Sequence, residues 1–296
     1  MNAALLLLLL SWGPDTKDEL SRCIERKDQK CVSVLLANRP ESASPEYLAV
    51  AARGYMLLGK RQDAIDAISR AAEMRPGDYG YLMEQGWIYQ RSGDQPSAIH
   101  AFLLAAKTKL DSPDVFYELG MSFFFAQEYQ RAARHFQRTL QLDPKHDRAE
   151  FMLGLIAIWS DQFAQAELQF KKALELRPAS SDYLLHYGVL LAKMDQDEKA
   201  MTEMLRAEQI DPANPLTHFN LGKLYRKQGK LAEAQRELEA AVKLRPGFSS
   251  ALYQLASIYR QAGDQTKAQQ VLQQFQKFSA QEKEQEEDPI DASVSH

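Results

Sequence analysis

The chain has 296 residues, 45% hydrophobic and 26% charged, with 14 glycines, 12 prolines and a formal net charge of -4. That balance excludes a disordered body, and its mild acidity with mixed signs leaves no general basic field for nucleic acid. A compact domain stops growing well before this length, whereas an array whose units pack only on their neighbours escapes the limit.

Residues 1–13, MNAALLLLLLSWG, carry an apolar run from Ala3 to Leu10, far short of the ~20 residues needed to span a bilayer. The segment reads as a signal peptide, with Ser11 and Gly13 at the spacing a signal peptidase requires. No Lys or Arg precedes the run, and Pro14 would follow the cut. A start codon placed too late, or an uncleaved tip on a cytosolic protein, are the other readings. Export to the periplasm or outside a bacterial cell is therefore expected, with a cytoplasmic location as the alternative.

Residues 14–44 read as a capping hairpin that holds both cysteines, Cys23 and Cys31. Helices over about 14–27 and 28–38 would bring the two face to face across a turn, whereas in one unbroken helix they would lie ~12 Å apart, too far for a disulfide. A bond clamping the hairpin and two small buried thiols in a reducing compartment both remain open.

From residue 45 the chain repeats. Ala64, Ala98, Ala132, Ala166, Ala200, Ala234 and Ala268 stand 34 residues apart, and Ala52, Gly86, Gly120, Gly154, Gly188, Gly222 and Ala256 run in phase with them. Two rows of small side chains amid larger apolar ones mean that two helices approach closely at the same place in every unit. Units begin at 45, 79, 113, 147, 181, 215 and 249 and extend to 282. A proline closes most of them (Pro76, Pro144, Pro178, Pro212, Pro246), and the turn inside carries Gly59, Gly93, Gly229 or Gly263, elsewhere Gln127, Asp161 or Asp195. In the last unit Phe275 replaces the alanine of Ala71, Ala105, Ala173, Ala207 and Ala241, which marks the end of the array. Residues 283–296 read as an acidic, mobile tail, and the competing arrangement folds Glu284, Glu286, Glu287 and Asp288 back on a basic patch.

The sixth unit, PLTHFNLGKLYRKQGKLAEAQRELEAAVKLRPGF, resembles the tetratricopeptide repeat, and the resemblance covers about four fifths of the chain. Family-type aromatics stand at Tyr55, Tyr89, Phe123, Tyr225 and Tyr259, while units four and five depart with Ala157 and Leu191. The resemblance implies an all-α fold, a right-handed α-solenoid (superhelix) of antiparallel helix pairs, with a binding surface on the inner wall formed by the first helix of each unit.

On that wall Met83, Trp87, Tyr117, Met121, Phe124, Phe151, Leu155, Ile158, Leu185, Val189 and Phe219 form an apolar stripe, followed by a basic end of Lys223, Arg226, Lys227 and Arg260. Either adjacent first helices bury the stripe, or it is a trough for a partner's helix or extended segment. The basic cluster reads as an orienting end for an acidic stretch or carboxylate, or as an ordinary solvated face. The family's carboxylate clamp is incomplete: Asn220 and Lys223 share a unit, but its neighbours offer His186 and Gln254.

No phosphate loop, HExxH, GxSxG or paired CxxC occurs, and the six histidines share no repeating ligand spacing. The expectation is thus a non-enzymatic scaffold for protein or peptide partners, with no catalytic residue, cofactor, metal, nucleic acid or membrane span. An accessory subunit delivering substrate to another chain's active site and a purely structural spacer are the alternatives, and a chaperone-tail receptor is a lesser one.

Overall fold

The structure, a computed structural model, describes residues 15–38 and 42–287. The signal-like segment over residues 1–13 and the tail beyond 287 lie outside the described residues. These residues form helices and no strand, and they divide into two compact units, one up to Leu142 and one from Asp143. No described helix is long and apolar enough to cross a membrane.

The first unit begins with α1 (Asp15–Glu25) and α2 (Gln29–Ala37), joined by a turn in which Lys27 takes a φ of 55°. Cys23 and Cys31 are bonded across that turn, with Cα atoms 6.0 Å apart. Buried Leu20, Val32 and Leu36 seat the hairpin on α3. Three helix pairs follow: α3 (Pro45–Leu57) with α4 (Arg61–Met74), α5 (Tyr79–Arg91) with α6 (Gln95–Thr108), and α7 (Pro113–Phe125) with α8 (Tyr129–Leu142). The second unit holds four: α9 (Asp147–Trp159) with α10 (Phe163–Leu176), α11 (Ser181–Lys193) with α12 (Asp197–Ile210), α13 (Pro215–Lys227) with α14 (Leu231–Leu244), and α15 (Ser249–Gln261) with α16 (Gln265–Glu287).

Local chemistry sets the boundaries. Ser44, Asp78 and Ser180 accept a hydrogen bond from the backbone three residues on, at 3.2, 3.1 and 3.4 Å, satisfying an orphan donor at each helix start. The turn inside every pair is left-handed at the same register, from Gly59 (φ 71°) to Gly263 (φ 80°), including the non-glycine residues Gln127, Asp161 and Asp195.

The two small rows meet inside each pair. Ala64, Ala98, Ala132, Ala166, Ala200 and Ala234 are wholly buried. A Cβ on Gly86, Gly120 or Gly154 would lie 2.4, 2.5 or 2.6 Å from the ring of Phe102, Phe136 or Phe170 on the second helix. Any side chain there would drive the pair apart. Each unit is an α-solenoid stack of antiparallel helix pairs, whose first helices carry the predicted inner wall.

Candidate inner-wall binding surface

In the first unit the wall rests on α3, α5 and α7. Trp87 is 42% exposed and rims a cavity of about 810 Å³. Met56 and Ile88 give this cavity apolar lining, and Arg53, Glu84, Gln90 and Glu118 give it polar groups. Arg53 Nε lies 2.6 Å from Glu84 Oε1. Burial pushes the Glu84 carboxyl up, and the Arg53 charge opposes that shift. Gln90 Nε2 donates to the buried Ser122 hydroxyl at 3.0 Å, pinning one helix of the wall to the next.

The rest of the stripe in this unit is less open. Met83 and Tyr117 are buried, with Tyr117 tilted against Phe136 at 5.6 Å. Met121 and Phe124 are half-buried, and Phe124 meets Tyr129 edge-on at 5.7 Å.

In the second unit the residues of the stripe are largely packed. Ile158 and Leu185 are core residues. Phe151 stacks on Tyr183 at 4.5 Å and meets His186 edge-on at 5.3 Å, while Phe219 packs on Phe248 at 4.8 Å. Leu155 and Val189 are half-buried against the same core. For Phe151 and Phe219 the cause is positional: each is the fifth residue of its unit and reaches the start of the next first helix, so it fills the joint between pairs.

The basic end is likewise partly committed. Lys227 Nζ lies 2.8 Å from both Asp195 and Asp197, clipping α13 to the turn before α12, so it is no free cation for a partner. Arg226 donates to Gln254 on α15. Lys223 is exposed above the Phe219 ring at 5.4 Å, and Arg260 is exposed. Asn220 turns its amide to the Leu216 carbonyl of its own helix at 2.8 Å, away from the role a carboxylate clamp would give it.

Two features, the Phe125 and Trp159 pair and a cluster of Glu208, His218 and Glu237, escaped the sequence reading. Phe125 and Trp159, 44% and 54% exposed, occupy the same register one repeat apart, each at the end of a first helix in its own unit. Their signal was legible, since Arg91, Lys193 and Lys227 hold that register in other repeats. Tyr253, at the fifth place of the last unit, is 52% exposed, with its ring 5.9 Å from Phe275. Glu208, His218 and Glu237 converge from α12, α13 and α14, separated by chain distances that match no ligand motif.

Sequence models of the family described as tetratricopeptide repeat match residues 49–114 and 219–282, and again 113–146, and one described as TPR repeat matches 193–229. No curated protein matches by sequence. Among solved structures, the chain is similar to the APC/C hetero-tetramer Cut9-Hcn1, at 15% identity and a TM-score of 0.65 over 83% of this chain. It spans about half of that chain's length, 49%. A tetratricopeptide repeat protein from Parabacteroides merdae matches at 18% identity and a TM-score of 0.65, over 79% of this chain and 93% of the other. PilF of Pseudomonas aeruginosa matches at 19% and 0.60, over 70% and 94%. At these identities the solved structures speak for the fold, and the sequence models together cover more than half of the chain. The chain belongs to the tetratricopeptide repeat family.

Proposed function

We propose that the protein is a non-enzymatic scaffold that holds a segment of a partner protein on the inner wall, with the Trp87 cavity of the first unit as its anchor point. The observation that carries this reading is an indole nearly half exposed beside a cavity of about 810 Å³ with apolar lining and an Arg53–Glu84 pair at its edge. A tryptophan ringed by polar groups is what the energetic centre of a protein interface looks like. An apolar side chain of the partner would fill the cavity, and the exposed cations Lys223 and Arg260 would favour partners with acidic stretches. The disulfide between Cys23 and Cys31 supports a location outside the reducing cytoplasm, as does the apolar run at residues 3–10.

The test is capture of partners from the native cell's envelope fraction by the wild type and by Trp87→Ala, followed by affinity measurement on the captured protein. Loss of a hot-spot tryptophan should weaken binding by about 2 kcal/mol or more, roughly 30-fold, with helical content unchanged. Equal affinity for both would remove the Trp87 cavity from the binding surface. A captured enzyme whose turnover falls in the variant would instead favour the accessory-subunit reading.

A further inference from the structure

The second unit brings together three side chains that the scaffold reading does not use. Glu208 lies in the last turn of α12, His218 in the first turn of α13 and Glu237 midway along α14. One ligand atom from each lies within 4.8 Å of the other two. His218 Nδ1 is 2.8 Å from Glu237 Oε2 and 3.6 Å from Glu208 Oε1. The His218 side chain is 10% exposed, and its Nε2 lies 3.0 Å from the carbonyl oxygen of Pro212.

That last contact fixes the tautomer. A carbonyl can only accept, so Nε2 carries the hydrogen and donates it. The neutral ring then aims the Nδ1 lone pair at two carboxylates, and three acceptors converge with no donor between them. Such an arrangement requires a positive charge in its centre. A proton on Nδ1 can bond Glu237 well but leaves Glu208, at 3.6 Å, beyond hydrogen-bond range. A divalent ion can take all three at once. The backbone bond from Nε2 is also the outer contact that metal-bound histidines use to hold their ring orientation. Glu208 and Glu237 keep 29% and 21% of their side chains exposed, so an ion can enter and a water can complete its shell. Around them stand Glu233 and Arg236 of α14 and the Tyr225 hydroxyl of α13, whose ionisation burial and the Glu237, Glu208 and Glu233 charges oppose. The local field is therefore negative.

We propose that Glu208, His218 and Glu237 form a divalent-cation site of zinc type, one nitrogen and two carboxylates with an open fourth position, which ties three successive helices of the second unit together. Mixed imidazole and carboxylate ligands suit Zn²⁺ better than the all-oxygen shells of Ca²⁺ or Mg²⁺. The site is independent of the binding surface around Trp87.

The test is calorimetric titration of the full chain, stripped with a chelator, with Zn²⁺ at neutral pH, alongside the absorption of a Co²⁺ derivative. One ion should bind per chain with tetrahedral cobalt bands, and the melting temperature should rise with Zn²⁺. Glu237→Gln and Glu208→Gln keep side-chain shape and should each lower affinity at least about tenfold, since even outer-shell losses cost that much. His218→Ala should abolish binding. Absence of saturable binding, leaving a protonated imidazole bonded to Glu237 alone, would overturn the proposal. So would tight binding that survives in both glutamine variants.

Discussion

Single residues set the joint inside each repeat, and the tightest are glycines. Gly120 faces Phe136 so closely that a Cβ would meet the ring at 2.5 Å, while Gly188 and Gly222 face Met204 and Leu238 at 2.8 Å. At Gly120 three ring atoms of Phe136 would lie within 3.0 Å of the added carbon, whereas at Gly188 only one atom of Met204 would. Gly120→Ala should therefore destabilise the first unit by about 1–3 kcal/mol, read as a lower melting temperature, and Gly188→Ala should cost less. Equal melting temperatures for both variants would show that the ring is free to move. These rows were legible because a clash this severe leaves no choice of side chain. The exposure of Trp87 was not legible, because the residues flanking it along the stripe, Met83 and Tyr117, have the same apolar character and are buried.

Helices, rather than residues, decide how the histidines behave. His135 on α8 lies parallel to the Phe123 ring of α7 at 5.1 Å and to Phe116 at 6.3 Å. Burial, with the nearby Arg131 charge, holds its pKa below the ordinary histidine value. The unfolded chain therefore gains a proton near pH 6.5 that the folded chain refuses, and stability falls as pH drops from that point toward the lowered pKa. His186, pressed against Phe151, is shifted in the same direction by burial. Thermal melts should show a steeper loss between pH 7 and 5 for the wild type than for His135→Phe. Parallel curves would mean that the ring is protonated in place. Elements also explain why the basic end is smaller than its sequence suggests: Lys227 and its two aspartates lie about thirty residues apart along the chain, and they meet only because α13 packs beside α11 and α12.

For the molecule as a whole, the array needs an end that water accepts, and the N-terminal hairpin supplies it with a covalent clamp. Closing a loop of this length removes unfolded-chain entropy worth about 2–3 kcal/mol. Because each pair leans on its neighbours, the loss should stay local. Cys23→Ser with Cys31→Ser should raise hydrogen exchange in α1 and α2 and leave the second unit unchanged, and in wild-type cell extracts both thiols should resist alkylation until a reductant is added. Rapid alkylation without reductant would contradict both the bond and the proposed export. The sequence by itself determined the period, the helix pairing, the left-handed turns and the family, because these follow from local sterics repeated seven times. Only the tertiary structure decided which inner-wall residues face water, which cations are already paired, and that Glu208, His218 and Glu237 share one point. Those properties depend on distances between helices, and a chain read in one dimension carries no measure of them.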